Sequence, residues 1–191
     1  MPYCIREDYA PRLENAAFDD TPNTDLWQND VYRLAKKVAM KEGLKTVLDV
    51  GCGSGYKLLK YFKRFPTVGS EVEPTLSWLK ERYPDRAWLP LDGLALKYDL
   101  VISADVIEHV PDPDALLEMI KRVHPKRVVI STPDRSMLVC DQQGPPRNIC
   151  HIREWSFDEF GMYLSEHFNV IRHYICNEEQ CTQVAVLEPK P

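Results

Sequence analysis

Three glycines within five residues, placed directly after a short apolar segment, constrain the fold of this chain more than any other feature. The segment is VLDVGCGSG, residues 47–55. Alternate glycines allow the backbone to turn sharply at the end of a strand and to approach a ligand closely. A helical pattern begins at Tyr56, and the free N–H groups of a helix N-terminus favour a negatively charged ligand group. The segment therefore predicts a strand, a ligand-binding loop and a helix, in that order.

The rest of the chain alternates short apolar segments with amphipathic ones. Strands are predicted over residues 46–50, 67–71, 87–91, 98–103, 127–132, 169–176 and 182–189, and helices over residues 28–42, 56–65, 74–83, 112–122 and 156–168. Strands that alternate with helices indicate βαβ units, which build a parallel sheet with right-handed connections. Only a short polar loop joins the last two strands, so they are expected to form an antiparallel hairpin at the sheet edge.

The length of 191 residues suits one domain, which we expect to span residues 1–191. Within it, residues 1–43 form an N-terminal segment and helix, and residues 44–132 form the half that binds the cofactor. Residues 133–191 form a long loop that contacts a second substrate, followed by the C-terminal hairpin. No repeat or low-complexity stretch divides the chain.

Charge and composition exclude several functional classes. The net charge of −5 shows no basic excess of the kind that binds nucleic acid. No apolar run approaches the ~20 residues of a membrane span, and no secretory signal is visible, so we expect a cytoplasmic protein. The six cysteines include no C-x-x-C pair, so we do not expect a structural zinc site. Asp105 and Asp134 are a weak pair for Mg²⁺, so no metal is expected.

Acidic residues follow two of the predicted strands. Glu71 ends the second strand, twenty residues after Gly51. A carboxylate at this place binds both ribose hydroxyls in dinucleotide-binding folds. Glu73 is the competing acid. Asp92-Gly93 follows the third strand, where the carboxylate can accept a hydrogen bond from an adenine amino group, although a surface turn also explains this dipeptide.

The fourth strand is followed by the segment ADVIEH, residues 104–109. Open α/β sheets bind ligands at the carboxyl ends of their strands, so we expect residues 104–106 to flank the ligand. His109 has a proton affinity that suits a general base. A role in packing or hydrogen bonding is the alternative for this histidine.

These motifs together resemble class I S-adenosylmethionine-dependent methyltransferases of the small-molecule type. The resemblance rests on VLDVGCGSG, on the acid that ends the second strand, and on YDLVISADVIEHVPDPDALL followed by RVVISTP, and it runs from about residue 28 to the end. It implies a Rossmann-like α/β fold with a mostly parallel seven-stranded sheet and helices on both faces. It also implies methyl transfer from S-adenosyl-L-methionine by in-line displacement at the sulfonium.

The resemblance assigns residues to the cofactor. The glycine loop is expected to hold the methionine carboxylate, Asp49 the amino group, Glu71 the ribose and Asp92 the adenine. The full predicted set is Gln28, Asp49, Gly51, Cys52, Gly53, Gly55, Glu71, Asp92, Gly93, Ala104, Asp105 and Val106. Two departures from the family pattern are Glu71, where Asp is more common, and the turn His124-Pro125-Lys126 before the fifth strand, which is shorter than usual.

The loop over residues 144–155 lies where such enzymes place acceptor contacts. It resembles that of a subgroup found with glycan-building enzymes, which implies a small-molecule or sugar acceptor and work alongside, or fusion to, glycosyltransferases. We expect acceptor contacts from Tyr56, Lys57, Arg153 and Trp155, and catalysis by His151, His109 and Asp105. The alternatives are that Trp155 packs the loop, that Arg153 and Glu154 form a surface pair, and that Lys57 is a solvated lysine.

Two other functions are retained. A non-catalytic module that binds the cofactor would keep the same glycines. A nicotinamide-dependent oxidoreductase would need the pattern G-x-G-x-x-G, and here Tyr56 stands where the last glycine belongs. We therefore predict methylation of a hydroxyl group on a small molecule or glycan sugar.

Overall fold

The computed structural model describes residues 6, 27–94, 97–138 and 144–190. The irregular segment predicted over residues 1–26 lies outside these ranges apart from Arg6. The elements are α1 (Asn29–Glu42), β1 (Val47–Val50), α2 (Tyr56–Phe62), β2 (Thr67–Ser70), α3 (Thr75–Arg82), β3 (Ala87–Leu89), β4 (Leu100–Ala104), α4 (Pro113–Arg122), β5 (Arg127–Pro133), α5 (Phe157–His167), β6 (Phe168–Asn177) and β7 (Thr182–Pro189).

The strands form a seven-stranded sheet in the order β3-β2-β1-β4-β5-β7-β6. Strands β1 to β5 pair in parallel, and β7 pairs antiparallel with both β5 and β6. The chain therefore ends in an antiparallel hairpin whose outer strand, β6, is the sheet edge. The strand order changes direction between β1 and β4, and open α/β sheets bind ligands at such a point. The predicted fold class is confirmed.

Helices cover both faces of the sheet because the central strands are apolar on both sides. Helices α1, α2 and α3 pack on one face, against Val47, Ile102, Val129 and Val184 among others. Helices α4 and α5 pack on the other face, against Leu48, Val101, Ile130 and Ala185 among others. Alternate residues of one strand point to opposite faces, so a continuous apolar strand of this kind must be covered on both.

Element boundaries differ from the predicted ones by up to three residues. The third strand ends at Leu89, two residues early, because Pro90 lacks an N–H and a 3-10 turn follows over Leu91–Gly93. Helix α4 begins where predicted, since the Asp112 carboxylate accepts a hydrogen bond from Ala115 N at 2.9 Å. None of the described helices combines the length and the apolar character that crossing a membrane requires.

The long segment after β5 returns to its starting point. Arg135 N donates to the Trp155 carbonyl at 2.9 Å, and Asp134 pairs with Trp155 in an isolated parallel bridge. Ile152 N donates to the carbonyl of Glu108 at 2.8 Å. These contacts hold residues 148–155 over the carboxyl end of β4, beside the glycine loop of β1.

Candidate active site

The glycine loop has the backbone conformation that its sequence predicts. Gly51, Gly53 and Gly55 have φ values of 71°, 53° and 69°, which side chains other than glycine rarely adopt. A Cβ atom on Gly51 would lie 2.5 Å from Cγ2 of Val106, in the segment after β4. The loop is therefore packed tightly against the neighbouring strand end and cannot accept a larger residue at this position without a shift.

Asp49 is a fully buried carboxylate at the end of β1. Its Oδ2 accepts a hydrogen bond from the Tyr32 hydroxyl at 2.8 Å, while its Oδ1 has no hydrogen-bond partner among the described residues. Burial, the largest cause, raises the pKa of Asp49 to about 7, and Lys57 opposes this rise. An unpaired buried carboxylate oxygen beside the glycine loop fits a ligand that carries an ammonium group.

Glu71 lies directly after β2 and bridges to the glycine loop. Its Oε1 accepts from Gly53 N at 3.0 Å and its Oε2 from Val72 N at 2.8 Å. Burial raises the pKa of Glu71, and these two N–H donors limit the rise. The competing acid, Glu73, is exposed and accepts from Ser77 N at the start of α3. Glu71 is therefore the acid that touches the predicted ligand loop.

The remaining predicted cofactor residues lie around the ends of β3 and β4. Gln28 has a φ of 62° and its Nε2 donates to the Ala104 carbonyl at 3.1 Å, so it reaches the end of β4 from the start of α1. Asp105, with a φ of 53°, accepts from Ser131 Oγ at 2.6 Å. Asp92 is exposed in the 3-10 turn after β3. The structure thus brings Gln28 and Asp105 together.

Two histidines face each other at the end of β4. The rings of His109 and His151 lie 4.8 Å apart, edge to face. Nδ1 of His109 is 2.6 Å from the Cys150 carbonyl, and Nδ1 of His151 is 2.7 Å from Glu154 Oε1. Both oxygens only accept hydrogen bonds, so each Nδ1 carries a proton. His151 Nε2 accepts from the Asn148 side-chain amide at 3.0 Å.

Glu108 is a third buried group in this place, and the sequence interpretation did not select it. Its side chain is fully buried, and its Oε2 accepts from Thr132 Oγ1 at 3.0 Å. Its Oε1 has no hydrogen-bond partner within the described part of the chain and lies 3.9 Å from Nε2 of His109. Burial, followed by the charge of Asp105, raises the pKa of Glu108 well above its usual range. Its position beside His109 was the only available signal.

Glu154 belongs to a buried network, so the expectation of a surface pair with Arg153 is wrong. Its Oε2 lies 3.3 Å from Nη1 of Arg135, and the two side chains are 2% and 1% exposed. Arg135 also donates to the Gly144 carbonyl. The cause is the position of the loop over the end of β4, which buries Glu154 beside Arg135.

Arg153 and Trp155 contact protein groups on the outer side of the same loop. Arg153 Nη2 donates to the Pro111 carbonyl at 2.7 Å. The Trp155 ring stacks on Tyr163 at 5.7 Å between centroids and also contacts Phe160 of α5. Trp155 is thus engaged in packing, as the alternative interpretation expected.

Tyr56 and Lys57 begin α2, immediately after the glycine loop. Tyr56 is half-buried, with Lys60 Nζ 5.6 Å from its ring centre. Lys57 is 4% exposed, so the interpretation as a solvated lysine is wrong. Burial raises the pKa of both Asp49 and Asp105, and the positive charge of Lys57 opposes this rise. Lys57 therefore places a positive charge near the acid beside the glycine loop, Asp49, and near the acid after β4, Asp105.

Comparison with known proteins identifies the family. A family model described as a methyltransferase domain matches residues 20–177. A comparison with curated protein sequences gave no match. Among solved structures, the N-methyltransferase NodS from Bradyrhizobium japonicum, in complex with S-adenosyl-L-homocysteine, is similar with a TM-score of 0.68 and 14% identity, over 91% of this chain and 93% of that chain.

Two further structures have the same fold. The 1,6-didemethyltoxoflavin-N1-methyltransferase of Burkholderia thailandensis has a TM-score of 0.64 and 20% identity, over 89% of this chain and 83% of that chain. The methyltransferase domain of bacterial CtHen1 has a TM-score of 0.62 and 21% identity, over 86% of this chain and 99% of that chain. The family match covers most of the chain, so this protein belongs to the methyltransferase domain family, and its fold is that of these solved methyltransferases.

Proposed function

We propose that this enzyme methylates a hydroxyl oxygen of a small-molecule or sugar acceptor. The observation that carries the proposal is the pair of histidines at the end of β4, each with Nδ1 held as a donor and Nε2 left as a proton-accepting atom. A hydroxyl must lose its proton when it gains a methyl group, so it needs a proton acceptor nearby. An amine or thiolate acceptor depends less on a proton-accepting side chain. The pair lies on the side of the sheet end next to the glycine loop.

In this proposal the cofactor is held by the residues around β1 and β2. Asp49 offers its unpaired Oδ1 to the ammonium group, and Glu71 offers its two oxygens to the ribose hydroxyls. The exposed turn after β3 contains Asp92 and Gly93. The Asp92 carboxylate accepts a hydrogen bond from the adenine amino group. Ala104, Asp105 and Val106 line the other side with Gln28 and Cys52. When bound, S-adenosylmethionine supplies a methyl group already activated by its sulfonium.

The chain's own contribution is alignment and proton removal. An acceptor hydroxyl that displaces the Asn148 amide would donate its hydrogen bond to His151 Nε2. The Glu154 carboxylate on Nδ1 stabilises the imidazolium that forms when the proton arrives. His109 is the rival proton acceptor. Asp105 is held in place by a hydrogen bond from Ser131 Oγ at 2.6 Å.

The sugar class is supported by one side chain and by the total charge. Tyr56, half-buried beside the glycine loop, supplies an aromatic surface of the kind that recurs in sugar sites. The acidic total charge disfavours polyanionic acceptors. On this proposal the enzyme works alongside glycosyltransferases. The B. thailandensis protein named above acts on a small heterocycle, which supports an acceptor of modest size.

The proposal is tested with methyl-labelled S-adenosylmethionine and a panel of sugars and hydroxyl-bearing small molecules. Mass spectrometry of the labelled product locates the methyl group. We expect a methyl ether from the wild-type enzyme, and less of it from the Glu71→Ala variant at a limiting cofactor concentration. A product methylated on nitrogen or carbon would contradict O-methylation while leaving the family assignment intact. Binding of the cofactor without transfer to any acceptor would favour the non-catalytic module.

A further inference from the structure

One carboxylate and two imidazoles meet at the end of β4. Glu108, His109 and His151 each offer one candidate ligand atom, and these atoms all lie within 4.8 Å of one another. Histidine and carboxylate are common ligands of divalent transition metals. The sequence interpretation led us to expect no metal here.

Both imidazoles are oriented as metal ligands require. Nδ1 of His109 donates to a backbone carbonyl and Nδ1 of His151 donates to the Glu154 carboxylate. Metal-binding histidines nearly always donate their second N–H to such groups, which fixes the tautomer and directs the other nitrogen at the metal. Nε2 of His109 lies 3.9 Å from Oε1 of Glu108, and a candidate ligand atom of His151 lies within 4.8 Å of the candidate atoms of both residues.

The buried oxygen of Glu108 is a second and independent observation. Thr132 binds one oxygen of this carboxylate, and the other, Oε1, has no hydrogen-bond partner among the residues described. A buried polar atom without a partner costs free energy, so its presence in a site calls for a ligand. This oxygen lies 3.9 Å from Nε2 of His109, within the separation of two ligands of one metal ion, which is about 3–4 Å for bonds near 2.1 Å.

The cluster needs a small adjustment to close on an ion. The largest separation, up to 4.8 Å, must shorten by roughly 1 Å, which rotation of the His151 ring or the Glu108 side chain supplies. The Asn148 amide, which now donates to His151 Nε2, must turn away, and Asn148 is exposed and able to do so. Asp105 adds a negative charge next to both Glu108 and His151.

We propose that Glu108, His109 and His151 bind a divalent first-row transition-metal ion, with its remaining positions open to water or to an acceptor oxygen. Two imidazoles and one carboxylate with an open position are the ligand set of catalytic rather than structural sites. The role of the ion rests on the proposed function: a hydroxyl bound to the ion loses its proton more easily. In the metal-bound enzyme the histidines would hold the ion, and the proton of the bound hydroxyl would pass to solvent water rather than to a histidine.

The test is a titration of the metal-free protein with Mn²⁺ alone and with Zn²⁺ alone, in the absence of cofactor and acceptor. We expect calorimetry to show one ion per chain for at least one metal. We expect Glu108→Gln and His109→Ala to weaken that binding at least tenfold, and His151→Ala likewise. The control variant His124→Asn removes an exposed histidine outside the cluster and is expected to keep wild-type affinity.

Asn148→Ala is a second control, because it removes the competing donor and is expected to bind the ion at least as tightly as wild type. Circular dichroism identifies any variant that does not fold, and the remaining two ligand variants then decide. Absence of binding to wild type, or unchanged affinity in the folded ligand variants, would overturn the metal site. Binding of S-adenosylhomocysteine by the metal-free protein is a separate result, so failure of the metal site leaves the proposed methyl transfer testable.

Discussion

His151 Nδ1 lies 2.7 Å from Glu154 Oε1, in a place where the histidine is 9% exposed and the carboxylate 2%. The other oxygen of the same carboxylate lies beside Arg135, so one buried acid joins a cation to an imidazole. This arrangement fixes the ring of His151 and neutralises the charge that a buried glutamate would otherwise carry alone. The orientation of His151 therefore depends on Glu154 and Arg135, which lie after β5 and far in sequence from the glycine loop.

The first prediction concerns the stability of this network. Arg135→Met leaves the Glu154 carboxylate buried without its guanidinium partner, so the free energy of unfolding should fall by about 3–5 kcal/mol. Arg33→Met, which breaks an exposed pair with Asp30, is the matched control and should change stability little. Urea denaturation followed by circular dichroism measures both. Equal losses in the two variants would show that the buried pair is not a special source of stability.

The second prediction concerns His151 and turnover. His151→Ala removes the lone pair that accepts the proton in the metal-free enzyme and binds the inferred ion in the metal-bound one, so kcat should fall roughly 10²–10⁴-fold. The dissociation constant for S-adenosylhomocysteine should change little, because the ring lies on the acceptor side. Comparison with His109→Ala ranks the two histidines. Full activity of the His151 variant with loss in the His109 variant would reverse their roles. Full activity in both variants would mean that neither histidine is the base, and that Asp105 or alignment of the substrates alone carries the reaction.

The third prediction concerns Glu71. Glu71→Ala removes the proposed ribose contact, so cofactor binding measured by calorimetry should weaken by about 1.5–3 kcal/mol. The structure adds a loss of folding stability, since both oxygens of Glu71 accept backbone N–H donors. Glu73→Ala is the control, because that exposed acid makes only a local contact with α3. A larger loss of affinity in the Glu73 variant would show that Glu73, and not Glu71, contacts the ribose.

The fourth prediction concerns pH. Burial raises the pKa of Asp49 to about 7, whereas an unfolded aspartate titrates near 3.9. The folded protein therefore holds a proton between about pH 4 and 7 that the unfolded chain has lost, so the Asp49 contribution to stability falls as the pH rises through this range. An ammonium ligand favours the ionised carboxylate. Affinity for S-adenosylhomocysteine should therefore increase with pH, by at most about tenfold per unit, and level off above pH 7.

The matched variant for this prediction is Asp49→Asn, which has no charge to gain. Its affinity should be weaker than that of wild type and should not show the rise below pH 7. Calorimetry at a series of pH values, in buffers with different ionisation enthalpies, also counts the proton released on binding. A wild-type affinity that is constant from pH 5.5 to 8 would contradict the role given to Asp49.

The sequence was sufficient for the fold because the relevant signals are local. The glycine loop, the apolar strands and the cap at Asp112 each depend on a few adjacent residues, and the structure places all of them as predicted. The acids at strand ends were also predictable, since Glu71 follows a strand beside the loop. Their roles toward the cofactor stay predictions.

The acceptor side could not be derived from the sequence to the same degree. The approach of Glu108 to His151 depends on how residues 144–155 lie over β4, and no local pattern specifies that placement. For the same reason the burial of Glu154 beside Arg135 was not foreseen. The burial of Lys57 could not be predicted, because a lysine at the start of a helix is usually exposed to solvent. Here the charges of two buried carboxylates attract it.

Cofactor binding by the purified protein tests the central claim most directly. Calorimetry with S-adenosylhomocysteine and, separately, with NAD⁺ compares the two ligand classes that a glycine-rich loop after β1 could serve. We predict micromolar binding of S-adenosylhomocysteine, about −8 kcal/mol, and no comparable binding of NAD⁺. Tight binding of NAD⁺ with no binding of S-adenosylhomocysteine would contradict the assignment of this site to methyl transfer.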